Sequence, residues 1–402
     1  MKNVYVVIIL LLSFNHVNAQ KIQEIASKNI DEAIPAFEHI SQFKNTEKVK
    51  LVGLGDVGEF VKESKRINTA FSAYLISEKK FRNIVLPADD WLLRPLNSYL
   101  TTSVPADTAK LDSLIKNTFS GIHKFRNPEF RSLMSWIKKY NSTHPKDMVN
   151  VFGVAPNATI PPSYFLSVYV LVVDEPYSRT LSEKWSDNAT PDSAAYLDIQ
   201  IWSTSLKNKK LSKLHQDLIA RCDEDLRHNK SVLKHESIDQ KFQPELLNAR
   251  SRYMANQILK RLDQKTIFYS LNTDVVKADL TSSFVLNNHP YFSVGKYLAE
   301  DLKENYYVFA TDFTGIAKLP VVDLLARNTG VETFDGSAQA KALSKKNDYL
   351  DRESDMDILK GYQPVLLPYL KGQQTDVMTD RNTPAVDGLF LFSNLSEINL
   401  AY

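Results

Sequence analysis

Four carboxylates, Asp56, Glu59, Asp89 and Asp274, are the residues of this sequence best placed to do chemistry, because each closely follows an apolar run that reads as a buried strand. In an open α/β sheet the strand ends face one cleft. Carboxylates gathered there could share a proton or hold a metal ion. Taken singly, each is also the kind of acid that caps a loop or faces water. Histidine offers less. Beyond residue 19 it occurs at positions 39, 123, 144, 215, 228, 235 and 289. His228 and His235 would share a helix face downstream of Asp223, Glu224 and Asp225, but such a face is ordinarily a solvated, charged one. No metal site is expected there. Cys222 is the only cysteine, so an intrachain disulfide is excluded and a small, partly buried residue is expected. The sequence has no nucleophile elbow, phosphate loop, dinucleotide fingerprint or paired-histidine zinc helix. No cofactor is expected.

The elements that must position these residues follow from hydrophobic periodicity. Short apolar runs at 49–54, 83–86, 149–154, 266–271, 306–310 and 388–392 are bounded by polar or turn residues, as in a buried sheet. Between them, helical spacing predicts helices over 22–37, 59–78, 129–140, 244–262 and 290–302. This alternation implies an α/β fold: a largely parallel central sheet flanked by helices. Residues 160–245 break the rhythm with three helical stretches, 164–173, 194–207 and 212–226, and read as a helical insertion or lid. Residues 335–385 are polar and read as a long loop.

The first 19 residues read as a cleavable export signal. Lys2 opens it, Val4 to Phe14 is apolar, and Val17-Asn18-Ala19 offers small residues for cleavage. The apolar run is too short for a membrane span, which needs about 20 residues. The expected mature chain begins at Gln20 and is periplasmic or extracellular, one α/β domain carrying the helical insertion. With 49 basic against 47 acidic residues, charge gives no reason to expect nucleic-acid or membrane-surface binding.

Sequence order carries a further signal. Leu51-Val-Gly-Leu-Gly-Asp56-Val-Gly-Glu59-Phe60 is followed by Phe81-Arg-Asn-Ile-Val-Leu-Pro-Ala-Asp-Asp-Trp91 and by Leu96-Asn97-Ser98-Tyr99. Then come Glu129-Phe130 with Trp136 and Asn141, Val151-Phe152-Gly153, Arg250 with Met254-Ala255, and Ile267 to Lys277. Gly295-Lys-Tyr-Leu298-Ala299, Tyr306 to Phe309, Gly315 and Asp387-Gly388-Leu389-Phe390 complete the series. In this order and spacing, over roughly residues 45–395, the chain resembles the erythromycin esterase family, α/β enzymes that open macrolide lactones.

The resemblance implies water attack on an ester carbonyl, with histidine as general base and acids at strand ends. The residues that would do this are largely missing. The family's first motif, Gly-Glu-x-Thr-His-Gly-Thr-x-Glu-Phe, is shortened here to Gly55-Asp56-Val57-Gly58-Glu59-Phe60. Asp56 stands for the first Glu and Glu59 matches the last, while the histidine has no counterpart. The Glu ending the second strand falls on Pro87, with Asp89 and Asp90 displaced from it. Gly-x-Asp becomes Gly153-Val154-Ala155, Arg-Asp becomes Arg250-Ser251, and His-Asn-x-His becomes Leu271-Asn272-Thr273-Asp274. Arg250 and Asn272 therefore remain as binding candidates. The expectation is an exported, catalytically degenerate relative that binds a small molecule, glycan or protein. The alternatives are a hydrolase of an ester or lactone using the four carboxylates, and an interaction scaffold built on the helical insertion.

Overall fold

The computed structural model describes residues 21–40, 47–59, 61–119, 125–186, 191–235, 243–282, 285, 289–314, 317–318, 338–344, 349–360, 362, 375–378, 384–393 and 395–396. The export-signal reading, Phe60, His123 and Gly315 lie outside them. The strands are β1 (Leu51–Asp56), β2 (Asn83–Leu86), β3 (Asn150–Gly153), β4 (Thr266–Leu271), β5 (Asp279–Ser282), β6 (Tyr291–Phe292), β7 (Tyr306–Phe313), β8 (Ala317–Lys318), β9 (Tyr349–Asp351), β10 (Thr375–Met378), β11 (Gly388–Phe392) and β12 (Leu395–Ser396). Seven of them form one sheet in the order β3-β2-β4-β1-β7-β11-β9. Every pairing in it is parallel except β11 with β9.

Alternation along the central strands divides the core into two faces. Val52 and Leu54 of β1, Ile267 and Tyr269 of β4, and Tyr307 and Phe309 of β7 point to the first face. Phe37, Phe71 and Tyr74 from the helices Ile30–Ile40 and Lys62–Lys79 meet them there. Leu51, Phe268, Tyr306 and Val308 point to the second face, toward Met254, Val275 and Leu298. Those three belong to the helices Pro244–Leu259, Asn272–Val275 and Val294–Leu302. Burial on both sides explains why these strands read as continuous apolar runs. Gly295 explains itself by contact, since a Cβ there would lie 2.0 Å from the Val275 carbonyl oxygen and 2.4 Å from that of Val276.

Three readings of the elements need correction. The helix expected from Pro290 starts at Val294, because Tyr291–Phe292 pairs with β5 and Ser293 caps the helix by accepting from Lys296 N at 2.9 Å. The stretch 22–37 is two helices, Lys21–Ser27 and Ile30–Ile40. Residues 335–385 are not one loop. They contain the helices Ala338–Ser344 and Arg352–Lys360, the antiparallel edge strand β9, and β10, which pairs with β5. Short, polar edge strands carry little hydrophobic pattern, so periodicity passes over them.

The chain divides by contacts into two units, one of residues 1–155 and 242–402 and one of residues 156–241. The regular elements described in the second unit are all helices. It begins with Pro162–Phe165, a π-helical turn Leu166–Val170 and Leu171–Val173, and continues with Glu175–Trp185, Asp192–Leu206 and Lys213–His235. Its core includes Phe165, Tyr169, Ile199, Trp202 and Cys222, all buried. No helix among the described residues is long and apolar enough to cross a membrane.

Candidate functional site

The carboxyl ends of β1, β4 and β7 carry several buried polar residues, among them Asp56, Asn272, Thr311 and Asp312. Asp56 closes β1 with the same parity as Val52 and Leu54, so its carboxylate enters the first face below the helix Lys62–Lys79. Lys65 and Asn68, three apart and therefore on one helix face, both reach it. Lys65 Nζ lies 2.7 Å from Asp56 Oδ2, and Asn68 Nδ2 donates to Oδ1 at 2.8 Å. The side chains of Lys65 and Asp56 are only 1% and 3% exposed, so this is a dry ion pair. Tyr269 on β4 lies beside Asp56 and Thr69, and burial, reinforced by the charges of Asp56 and Glu129, pushes its phenol well above the usual range. It is a neutral hydroxyl, not a base.

Glu129, in the first turn of the helix Pro128–Thr143, accepts from Arg66 Nε at 3.2 Å through Oε1. Its Oε2 and the Oδ1 of Asn68 are buried acceptors with no hydrogen-bond partner among the described residues. Buried polar atoms are normally satisfied by protein or ordered water, so each of these acceptors has a place for one more donor.

A second group of contacts ties the strand ends together. Thr311 Oγ1 donates to the Gly55 carbonyl oxygen at 3.0 Å and accepts from Val57 N at 2.8 Å. Asn272 Nδ2 donates to the Thr311 carbonyl oxygen at 2.8 Å. Asn272 sits so close to β1 that a Cβ on Gly55 would lie 2.2 Å from its Oδ1. Asn272, a binding candidate from the sequence, thus bonds to β7 and packs against β1.

Asp56 and Asp274, two of the four candidate carboxylates, lie on opposite faces of the sheet. Asp274 accepts from Ser270 Oγ, and Ser270 has the parity of Phe268, which places the pair on the second face, opposite Asp56. Glu59 is half-buried in the turn after β1. Asp89 is buried just before the helix Asp90–Thr101. Its neighbour Asp90 accepts from Gly153 N at 3.2 Å and pairs with Arg94 at 3.3 Å. Arg250 is half-buried, one turn before Met254 on the helix Pro244–Leu259. Among the described residues, no three His, Cys, Asp or Glu are arranged to hold a metal.

Sequence reasoning missed Lys65, Asn68, Thr311 and Asp312. Asp312 is fully buried on the second face, where Tyr362 donates to it. A signal existed for Lys65, a lysine among the apolar residues of a core-facing helix and nine positions after a strand-end acid. The histidines do not fill the gap. His144 stacks on Tyr140 at 4.2 Å and precedes β3, and His289 is exposed between β5 and β6. His228 meets the Ala158 carbonyl oxygen at 2.9 Å within the helical unit, and His215 lies near the start of the helix Lys213–His235. The side chains of His39 and His235 lie outside the described residues.

Cys222 is fully buried, and desolvation, helped by Asp223 and Asp225, pushes its thiol far up from the ordinary range. Since the thiolate is the reactive form, a thiol reagent at pH 8 is expected to leave the native protein unlabelled. One equivalent should react after denaturation. Fast labelling of the native protein would contradict this placement.

A sequence model of a family described as erythromycin esterase matches residues 76–331. No curated protein sequence matches the chain. Among solved structures, a protein of Bacillus cereus is similar at a TM-score of 0.65 and 16% identity, over 95% of this chain and 99% of that one. A succinoglycan biosynthesis protein is similar at 0.60 and 16% identity, over 96% and 99%. An erythromycin esterase mutant in its open conformation is similar at 0.59 and 17% identity, over 92% and 96%. At these identities the likeness concerns the fold.

Proposed function

Because the chain belongs to the erythromycin esterase family, we propose that it is an exported member that binds a small molecule, glycan or protein without running the family's hydrolysis. The observation that carries this reading is the dry Asp56–Lys65 pair. A carboxylate held by a buried ammonium and an amide, with almost no exposure, is occupied by those contacts and closed to an attacking water. No described histidine follows a strand of the large sheet to replace it, and Asp274 lies on the opposite face. Removing a general base alone costs about 10²- to 10⁴-fold in rate. The unpartnered acceptors Glu129 Oε2 and Asn68 Oδ1 support a ligand that brings hydroxyl or amine donors.

A panel of simple esters offered to the mature protein tests this. The expected result is no turnover above buffer. Turnover that disappears in Asp274→Ala would overturn the reading in favour of a hydrolase with a rearranged carboxylate site. The export half is tested separately. Expressed with its own leader in a bacterial host, the protein is expected outside the cytoplasm with Gln20 as its first residue. An intact Met1 terminus in the cytoplasmic fraction would contradict it.

A further inference from the structure

The helical unit contains a groove of about 150 Å³ between the helices Asp192–Leu206 and Lys213–His235. Drug-sized ligands occupy pockets of roughly 300–1,000 Å³, so this one suits a single group rather than a whole large molecule. The short connection between the helices makes them antiparallel neighbours. Two contacts fix their register: Ser203 Oγ donates to Asp223 at 2.7 Å, and Lys207 pairs with Asp223 at 2.9 Å.

From that rung the groove extends by helical spacing. Gln200, Thr204 and Lys207 recur at i, i+4 and i+7 on one side, and Asp223, Arg227 and Lys230 do so on the other. Arg227 thus falls opposite Thr204, and Lys230 opposite Gln200. Asp223 neutralises Lys207, whereas neither Arg227 nor Lys230 has an ion-pair partner among the described residues. The groove therefore presents two uncompensated cations beside a hydroxyl and an amide.

We propose that this groove is a binding site for a phosphate group. A phosphate monoester carries about −1.5 to −2 charge at neutral pH, which matches the two unpaired cations. A carboxylate matches only one of them. Arg227 supplies a planar fork for two phosphate oxygens, and Lys230 a point charge. Thr204 and Gln200 supply neutral donors. The site is independent of the strand-end reading and stands or falls without it.

Calorimetric titration of the mature protein with inorganic phosphate at constant ionic strength tests the proposal, with acetate as the carboxylate arm. Saturable phosphate binding is expected, with acetate weaker. The double variant Arg227→Gln, Lys230→Gln should bind phosphate at least about tenfold more weakly, as loss of charge-assisted hydrogen bonds implies. Lys146→Gln, an exposed lysine of the other unit, should bind like the unsubstituted protein. Absence of saturable phosphate binding, binding that survives the double variant, or equal binding of acetate would each overturn it.

Discussion

Replacing Lys65 with methionine is expected to destabilise the protein by about 3–5 kcal/mol, the usual cost of stranding one member of a buried ion pair. Asp56 would keep only neutral partners, the Asn68 amide and the Tyr269 hydroxyl, in a position from which water is nearly excluded. Methionine fills the space of the lysine stem, so the loss reports charge and not cavity. The double replacement Lys65→Met, Asp56→Leu should recover most of that stability, because both charges then leave the core together. Urea unfolding of the four proteins gives the coupling directly. A Lys65→Met variant within about 1 kcal/mol of the parent would show that Asp56 is wet or differently paired.

Asp387→Ala is expected to cost a similar amount, about 3–5 kcal/mol. Asp387 is fully buried, pairs with Lys277, and accepts from Val308 N at 2.8 Å through Oδ2. Its own N–H donates to the Val308 carbonyl oxygen at 2.8 Å. Truncation leaves an ammonium that is 9% exposed and a buried strand amide without acceptors. Asp387→Asn keeps an acceptor for Val308 and should lose less. Faster hydrogen exchange at Val308, measured beside the unfolding midpoint, checks that the loss is local to this contact. An alanine variant as stable as the parent would contradict the pairing.

These two pairs show how differently scaffold and site are written in the sequence. The parallel strands were legible because burial on both faces makes them apolar throughout, and β2, β4 and β11 fall on the predicted runs. Several residues that carry the family pattern also have plain structural duties. Asn97 Oδ1 accepts from Val151 N at 2.8 Å and pins the edge strand β3. Tyr99 accepts from Asp107 N at 2.7 Å, and Asn141 donates to the carbonyl oxygens of Leu100 and Val149. Lys277 and Asp387 belong to the same class. What resembles an esterase in this sequence is chiefly what builds the fold.

The site was less legible because it depends on which face a strand-end residue takes. Asp56 and Asp274 both follow strands, but one has the parity of Leu54 and the other is held by Ser270, so the sheet lies between them. Proximity along a cleft edge says nothing about that parity. Lys65 was hidden for a related reason: within a helix, a lysine is expected to snorkel outward, and only its strand-end partner explains why this one is buried.

The measurement that tests the central claim most directly is incubation of the mature protein with erythromycin, followed by mass spectrometry for the ring-opened product that has gained one water. The account predicts no product above a protein-free control, in the parent and in Asp274→Ala alike. Catalytic accumulation of the opened lactone by the parent, lost on substitution of a strand-end carboxylate, would contradict it.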